Sequence, residues 1–234
     1  MYKNVIFDLY GTLVSISTNE EKRTLWSTLA EFYSYNGCKY TPRELKAEYL
    51  SEVKRFQKDC TSEFPEIEIG EVFARLYAKK GADVSKQYIE LTARLFRILS
   101  TKYINVYNGV PKLLDDLHGM GKNVYLLTNA QRLFTEPELK MLGLYEKFDG
   151  IVISSDVGCC KPDSNFFGYL LKKYNLDPSE CVMVGNDADC DIAGAAAVGI
   201  SSVYIRSELS PDKEPEYAKH ILEVADINSL CKLV

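Results

Sequence analysis

From Val106 to the C-terminus, short apolar runs alternate with segments whose apolar residues recur at helical spacing. Runs such as "KNVYLL" and "CVMV" have the composition of buried strands. The segments between them, such as "VPKLLDDLHG", place apolar residues three and four positions apart, as one face of a helix requires. Because neighbouring parallel strands must be joined by a crossover, this alternation predicts a parallel sheet with helices on both faces. The expected fold class is α/β, with a doubly wound parallel sheet.

One strand of the predicted sheet lies far from the others in the sequence. The apolar run "NVIF" precedes Asp8 near the N-terminus, whereas residues 15–104 are helical in character and show no convincing strand. We therefore expect an α/β core built from residues 1–14 and 105–234. The helical region is expected to form a separate domain, inserted after the first strand.

The inserted region contains four or five predicted helices. The clearest start is in "TPRELKAEYL", where Thr41 is the expected N-cap, Pro42 occupies the first helical position and Glu44 completes a capping box. In the preceding segment Leu25 and Leu29 recur at helical spacing. A small helical bundle is predicted.

Composition and charge narrow the classes of partner. The chain has 234 residues and a net charge of −5, which argues against a dedicated nucleic-acid binder, since such proteins normally carry a basic patch. No apolar stretch approaches the roughly 18 residues of a membrane span, and the N-terminal residues lack the layout of a signal peptide. The seven cysteines include no C-x-x-C pair and are expected to be reduced thiols. We expect a cytoplasmic protein that binds neither nucleic acid nor membrane; the sequence does not indicate its oligomeric state.

Polar residues follow each predicted strand at its carboxyl end. In order along the chain they are Asp8; Thr128 and Asn129; Asp156 and then Lys161; and Asn186, Asp187, Asp189 and Asp191. In an open parallel sheet, ligands bind beyond the carboxyl ends of the strands, near a switch in strand order. These side chains are therefore expected to meet in one crevice.

This set of side chains suits covalent catalysis on an anionic substrate. A carboxylate can attack a phosphoryl group or an alkyl carbon and form an ester intermediate. A phosphate dianion repels that carboxylate, so the reaction requires cations, such as a lysine and Mg²⁺ held by oxygen ligands. Asp8 and the acids after "VMVG" are candidates for the metal oxygens, and Lys161 and Thr128 for contacts with the phosphate.

Four motifs, in this order, resemble those of the haloacid dehalogenase-like (HAD) hydrolase superfamily. They are "DLYGTL", "LLTN", "KPD" and "VGNDADCDIAGAAAVGI", and the resemblance runs from the first strand to about residue 205. It implies a Rossmann-like, HAD-type core, and the helical insertion is similar to the α-helical cap of many members. It also implies catalytic roles for Asp8, as nucleophile, and Lys161. Substrate contacts would come from Tyr10, Gly11, Thr12, Thr128 and Asn129, and Mg²⁺ ligands from Asp8, Tyr10 through its carbonyl, Asn186, Asp187 and Asp191.

The fourth motif departs from its usual form, in which an aspartate directly follows the glycine. Here Asn186 follows Gly185 and Asp187 comes next, while Asp191 keeps the later position. Either Asp187 binds the metal after a small adjustment, or Asn186 binds it through its amide oxygen. The sequence favours Asp187.

Tyr10 is the second departure. In phosphatases of the superfamily an aspartate stands two residues after the nucleophile and serves as general acid and base. A phenol cannot replace it as a base, because its pKa is about 10. The founding haloacid dehalogenases resemble this chain at that position; their halide leaving group needs neither a proton nor magnesium.

Three functional interpretations follow. The first is a Mg²⁺-dependent phosphatase that acts on a small phosphorylated metabolite through an aspartyl-phosphate. It is favoured over a metal-independent 2-haloacid dehalogenase because the acids of the fourth motif would repel one another without a cation. The third is a catalytically weak binding or regulatory member.

Overall fold

The computed structural model describes residues 2–234. Its strands are β1 (Asn4–Phe7), β2 (Val14–Thr18), β3 (Thr101–Val106), β4 (Asn123–Thr128), β5 (Gly150–Ile153), β6 (Cys181–Gly185), β7 (Ser201–Arg206) and β8 (His220–Glu223). Its α-helices are α1 (Arg23–Tyr35), α2 (Pro42–Asp59), α3 (Ile69–Ala78), α4 (Lys86–Ser100), α5 (Val110–Gly119), α6 (Arg132–Met141), α7 (Ser164–Tyr174) and α8 (Gly194–Ala197). A π-helical turn, Ala188–Ala193, leads directly into α8. No helix within residues 2–234 combines the length and apolar character needed to cross a bilayer.

The central sheet has the strand order β5-β4-β1-β6-β7-β8, and every pairing in it is parallel. Strand β1 lies between β4 and β6, so the strand order reverses beside it. A reversal of this kind opens a crevice at the carboxyl ends of the strands. The predicted doubly wound α/β fold is confirmed, and its switch point lies at the strand that ends before Asp8.

Both faces of the sheet are covered by helices. Along the fully buried β1, Val5 and Phe7 pack into a cluster that includes apolar residues of α5. Ile6 points to the opposite face and packs with apolar residues of α7. This alternation is the period of two expected for side chains of a strand. A four-residue strand buried on both faces explains why "NVIF" carries such a strong apolar signal.

The inserted helices have an apolar cluster of their own. It contains large aromatic side chains such as Trp26, Tyr49 and Phe96, whose rings lie within 5.8 Å of one another centre to centre. The capping box that starts α2 is present, with Thr41 and Glu44 in the expected reciprocal hydrogen bonds. This cluster is distinct from those beside the sheet, although it includes Phe134 of α6.

The expectation that residues 15–104 hold no strand is wrong. Strands β2 and β3 pair in antiparallel fashion and form a two-stranded ribbon where the inserted region leaves and rejoins the core. Their side chains are mostly half-buried or exposed, so neither strand has the continuous apolar run of the central sheet. The alternation Val14, Ser15, Ile16, Ser17 is a strand signal, but it is short.

Two further elements differ from expectation. Strand β8 begins at His220, the last residue of "SELSPDKEPEYAKH", which the sequence suggested was a polar, solvated connection; it is a mostly exposed edge strand. Strand β5 ends at Ile153 rather than at Asp156, because residues 154–156 form a 3₁₀ turn.

Candidate active site

A cavity of about 200 Å³ opens at the carboxyl edge of the sheet, beside the end of β1. Most of the predicted site residues line it. They are Asp8, Tyr10, Thr128, Asn129, Lys161, Asn186, Asp187 and Asp191. The structure thus brings together side chains from four separate strand ends, as the sequence predicted.

The Lys161 ammonium lies between two carboxylates at the base of this cavity. Its Nζ atom is 2.7 Å from Asp8 Oδ1 and 2.6 Å from Asp191 Oδ1, and the lysine is only 2% exposed. Burial alone would lower the pKa of Lys161, but the charges of Asp191 and Asp8 raise it above its ordinary value. Burial raises the pKa of Asp191, against the opposing effect of Lys161. The triad carries a net negative charge when all three groups are ionised.

The second oxygen of Asp8 is held by the turn that follows β1. Thr12 is fully buried, and its hydroxyl lies 3.3 Å from Asp8 Oδ2 and 3.2 Å from Asn186 Oδ1. Gly11 has a φ of +87°, and a Cβ there would be 2.3 Å from Asn186 Nδ2. Only glycine combines this backbone conformation with so close an approach. Gly11 and Thr12, predicted as substrate contacts, thus support the side chains of Asp8 and Asn186.

The side-chain amide of Asn129 forms hydrogen bonds with the backbone of Lys161. Its Oδ1 accepts a hydrogen bond from the Lys161 N–H at 2.8 Å, and its Nδ2 donates to the Lys161 carbonyl at 3.0 Å. Both ends of the amide are therefore occupied. The structure favours a positioning role for Asn129 over the predicted substrate contact.

The hydroxyl of Thr128, in contrast to the amide of Asn129, is available to a ligand. Its side chain is 1% exposed and lines the cavity, yet Thr128 Oγ1 has no hydrogen-bond partner within residues 2–234. Leaving a buried hydroxyl unpaired costs roughly 1–3 kcal/mol. A ligand oxygen in the cavity would remove that cost.

The polar side chains of the fourth motif have different hydrogen-bond partners. The Asp187 carboxylate caps the following helical turn, with Oδ1 accepting from the N–H groups of Asp189 and Cys190 at 2.9 and 2.8 Å. Asp191 Oδ2 accepts from the Asp187 N–H at 3.0 Å, so both Asp191 oxygens are occupied. Asn186 instead shares the Thr12 hydroxyl with Asp8. This orientation favours Asn186 over Asp187 as a metal ligand, contrary to the sequence-based preference.

Three groups of this cavity supply oxygens that suit a hard cation. They are the Asp8 carboxylate, Asn186 Oδ1 and the Tyr10 carbonyl, which accepts no hydrogen bond among the described residues. Residues 2–234 contain no group of three or more His, Cys, Asp or Glu side chains arranged to hold a metal. Mg²⁺ does not require such a group, since it is commonly bound by one or two carboxylates together with water and substrate phosphate. The donor set therefore fits Mg²⁺.

The phenol of Tyr10 is bonded to α6. Its hydroxyl donates to Glu138 Oε2 at 2.5 Å and lies 3.0 Å from Thr135 Oγ1, while Arg97 Nε donates to Glu138 Oε1 at 2.5 Å. Burial, and next the charge of Glu138, raise the pKa of Tyr10 above its ordinary value. The phenol is therefore neutral near pH 7, with its proton directed at Glu138.

One wall of the cavity was missed by sequence reasoning. Leu209 and Pro211 line it, although both lie in "SELSPDKEPEYAKH", the segment that the sequence suggested was a solvated loop. The Ser207 hydroxyl fixes this loop by donating to the Gly11 carbonyl at 2.7 Å. Two apolar residues just after the carboxyl end of β7 were the available signal.

Two acids that follow predicted strands lie outside the cavity. Asp156 pairs with Arg132, whose Nε is 2.6 Å from Asp156 Oδ1, and Asp189 pairs with Lys213 at 2.5 Å. Both ion pairs are partly exposed. Asp156 is displaced because β5 ends three residues before it.

The sequence matches a family of hydrolases. A family model described as "Hydrolase: haloacid dehalogenase-like hydrolase" matches residues 2–199. The chain belongs to the haloacid dehalogenase-like hydrolase family. The resemblance inferred from the four motifs is confirmed, and the protein is a hydrolase of this HAD family.

Curated HAD relatives include phosphatases. The chain is 26% identical over 215 residues to a glyceraldehyde 3-phosphate phosphatase of Methanopyrus kandleri, a match that covers 92% of this chain and 88% of that protein. It is 32% identical over 120 residues to a glyceraldehyde 3-phosphate phosphatase of Methanothermobacter thermautotrophicus, which covers only about half of each chain (51% and 53%). These relatives favour phosphatase over dehalogenase chemistry.

Solved structures agree on the fold. A HAD phosphatase from Thermococcus onnurineus superposes with a TM-score of 0.61 and 21% sequence identity, over 99% of this chain and 97% of the other. Dehalogenases superpose comparably well. At such identities the likeness establishes the fold and not the reaction.

Proposed function

We propose that the protein is a Mg²⁺-dependent phosphatase that hydrolyses a small phosphorylated metabolite through an aspartyl-phosphate on Asp8. The proposal is carried by the unpaired, buried Thr128 hydroxyl, which lines the same cavity as the Asp8 carboxylate. A phosphate oxygen beside Thr128 would accept its hydrogen bond and leave the phosphorus facing Asp8. The curated phosphatase relatives support the same reaction class.

The first step transfers the phosphoryl group to Asp8. A carboxylate oxygen attacks phosphorus, the bond from phosphorus to the ester oxygen breaks, and that oxygen leaves with the electron pair. Water then attacks the acyl phosphate, which releases inorganic phosphate and restores the carboxylate. The Lys161 ammonium orients Asp8 through its 2.7 Å contact and offsets the negative charge of the phosphate. Asp191 holds Lys161 in place from the other side.

Mg²⁺, when bound, would neutralise phosphate charge and align the phosphoryl group for attack. We assign its protein ligands to Asp8, Asn186 and the Tyr10 carbonyl. The Asp187 carboxylate caps a helical turn and the Asp191 carboxylate is shared between Lys161 and a backbone N–H, so we assign neither to the ion.

The leaving oxygen has no aspartate to protonate it. The Tyr10 phenol donates to Glu138, and burial together with the charge of Glu138 raises its pKa in spite of the opposing effects of Arg97 and Thr135. Losing a positioned general acid typically slows a reaction by about 10²–10⁴-fold. The carboxylate of an acyl phosphate and the phenolate of an aryl phosphate can leave without a proton. Acyl and aryl phosphates should therefore be hydrolysed faster than alkyl phosphates.

The cavity also limits the substrate. Lys161 is the only cationic side chain among the described residues that line it, and two carboxylates already contact it. A substrate with a second anionic group would have no cation to pair with. We propose a phosphomonoester with an uncharged remainder, enclosed by residues 15–104 acting as a cap.

The seven unpaired cysteines support a reducing compartment such as the cytoplasm.

The test compares acetyl phosphate, an aryl phosphate and an alkyl phosphate, each with Mg²⁺ and with EDTA. We expect hydrolysis of the first two, its loss with EDTA and in Asp8→Asn, and much slower hydrolysis of the alkyl ester. Halide release from a 2-haloacid that resists EDTA would instead identify a dehalogenase. Absence of both activities would identify a binding member.

A companion variant, Tyr10→Asp, places an aspartate at the position where this chain differs from the phosphatases of the superfamily. It should raise the turnover of the alkyl phosphate selectively. A folded Tyr10→Asp protein with no such gain would show that the proton comes from elsewhere.

A further inference from the structure

The loop that joins α2 to α3 reaches out of the inserted helices to the catalytic edge of the sheet. We call residues 62–69, "SEFPEIEI", the bridging segment. It contacts two loops of the core, one following β4 and one following β5. These two loops carry Asn129 and Lys161.

The first set of contacts surrounds Lys161 in the sequence. The Cys160 N–H donates to the Phe64 carbonyl at 3.1 Å, and the Glu66 N–H donates to the Gly158 carbonyl at 3.2 Å. The two chains are antiparallel here, like the edge of a small sheet. On the far side of Lys161, the Ser62 hydroxyl donates to Asp163 Oδ2 at 2.7 Å. The segment thus holds the lysine loop on both sides of the lysine.

The second set of contacts reaches the loop after β4 through Gln131. Its Oε1 accepts from the Ile69 N–H at 2.8 Å. Its Nε2 donates to Glu66 Oε1 at 2.8 Å and to the Ile67 carbonyl at 2.9 Å. Gln131 lies two residues after Asn129, whose amide grips the Lys161 backbone.

Glu66 joins the two sets. One carboxylate oxygen accepts from Gln131 Nε2 and from the Ile67 N–H at 3.0 Å; the other accepts from the Ser154 hydroxyl at 2.6 Å. Ser154 starts the connection from β5 to Lys161, and its hydroxyl oxygen also accepts from the Ala130 N–H at 2.8 Å. A single half-buried side chain of the inserted region therefore links both site loops.

We propose that the bridging segment positions Lys161 for catalysis, with Glu66 as the positioning residue that couples the inserted helices to the two site loops. This role rests on the proposed phosphatase function. Lys161 itself is buried between two carboxylates, so its ammonium can follow only small shifts of its backbone without losing one of them. A displacement of about 1 Å at a reacting group can cost on the order of 10² in rate.

Glu66→Ala removes the link, and Glu66→Gln should keep it. In the glutamine variant the amide oxygen replaces Oε1 and accepts from Gln131 and Ile67. The amide nitrogen replaces Oε2 and donates to Ser154 Oγ. The Ser154 hydroxyl then directs its own proton to the Ala130 carbonyl, which is already 3.0 Å away.

Glu52→Ala is the matched control. Glu52 is another glutamate of the inserted region and is buried, but it pairs with Arg55 and Lys79 within that region. Its loss should perturb the helices without touching the site loops. Gln131→Ala, which removes three bonds from the other side of the link, is a second test should Glu66→Ala not fold.

Two readouts are measured on all variants: amide hydrogen exchange in residues 155–163, and kcat and KM with an aryl phosphate. Glu66→Ala should exchange faster in this peptide and lose up to about 10²-fold in kcat, with a smaller change in KM. Glu66→Gln should recover both values, and Glu52→Ala should change neither.

Equal exchange in Glu66→Ala and Glu52→Ala would overturn the proposal, as would faster exchange with an unchanged kcat. A wild-type protein that hydrolyses no phosphate ester would refute the phosphatase function. The exchange experiment would still decide whether the bridging segment controls the lysine loop.

Discussion

Replacing Lys161 by methionine should destabilise the protein far more than removing an ordinary ion pair. Methionine has similar length but leaves the Asp8 and Asp191 carboxylates buried and near each other, since both had contacted the same nitrogen. Breaking a buried ion pair by removing one partner typically costs about 3–5 kcal/mol, because an uncompensated buried charge remains. Domains of this kind have a total unfolding free energy of about 5–15 kcal/mol, so the loss should be large in proportion.

The loss should also depend on pH in a defined direction. Burial already raises the pKa of Asp191 in the wild-type protein, and the variant lacks the ammonium that opposes this rise. A carboxyl with a raised pKa binds a proton more readily in the folded than in the unfolded state. Stability is therefore retained below the ordinary aspartate range near pH ~4 and falls as the pH rises through the folded-state pKa. The deficit of Lys161→Met should be smaller at pH 5 than at pH 8.

Urea unfolding in EDTA at both pH values measures this deficit. Lys79→Met is the matched control, because Lys79 also bridges two carboxylates, Glu48 and Glu52, with both distances 2.5 Å. That lysine lies at the surface and Glu52 keeps Arg55, so the control should lose at most about 1 kcal/mol. Equal losses in the two variants, or a Lys161→Met deficit that does not grow with pH, would refute the electrostatic account of the site.

Three further predictions address single side chains of the cavity. Thr128→Val deletes an unpaired buried hydroxyl, so the free energy of unfolding should stay the same or rise. The Kd for inorganic phosphate, measured by calorimetry, should rise about 10-fold or more. A loss of more than about 1 kcal/mol in the free energy of unfolding would contradict this. Gly185→Ala would place a Cβ 2.3 Å from Asp191 Cγ, so the thermal midpoint should fall by the equivalent of about 1–3 kcal/mol, and an unchanged midpoint would argue against the close contact. Tyr10→Phe removes a hydrogen bond to the Glu138 carboxylate and should cost about 1.5–3 kcal/mol in urea unfolding. It should leave aryl phosphate turnover nearly intact, and a 10²-fold drop would show that the phenol takes part in catalysis.

Strand ends were predictable because the signals are local. A buried parallel strand must be apolar, so the point where Asp8 interrupts "NVIF" marks the edge of the sheet. The same reasoning located Thr128, Lys161 and Asp191, all of which line the cavity. Half-buried strands such as β2 carry no such run, and they were missed.

The direction of a polar side chain was not predictable in the same way. Asp187 and Asn186 are neighbours with similar side chains, and the sequence favoured Asp187 as the metal ligand. The π-helical turn after it offers two backbone N–H groups, and these attract the Asp187 carboxylate. Asn129 likewise follows a strand end as expected, but its amide is bound to the Lys161 backbone.

The sequence by itself determined three features of this protein. It determined which residues stand at strand ends, which motifs they form, and that residues 15–104 are mainly helical. Only the tertiary structure decided which partner each polar group takes. Tyr10 bonds to Glu138, 128 residues away, and Glu66 bonds to Ser154, 88 residues away. Apolar periodicity is written in neighbouring residues, whereas a hydrogen bond between distant residues exists only once the packed sheet and helices have fixed both ends.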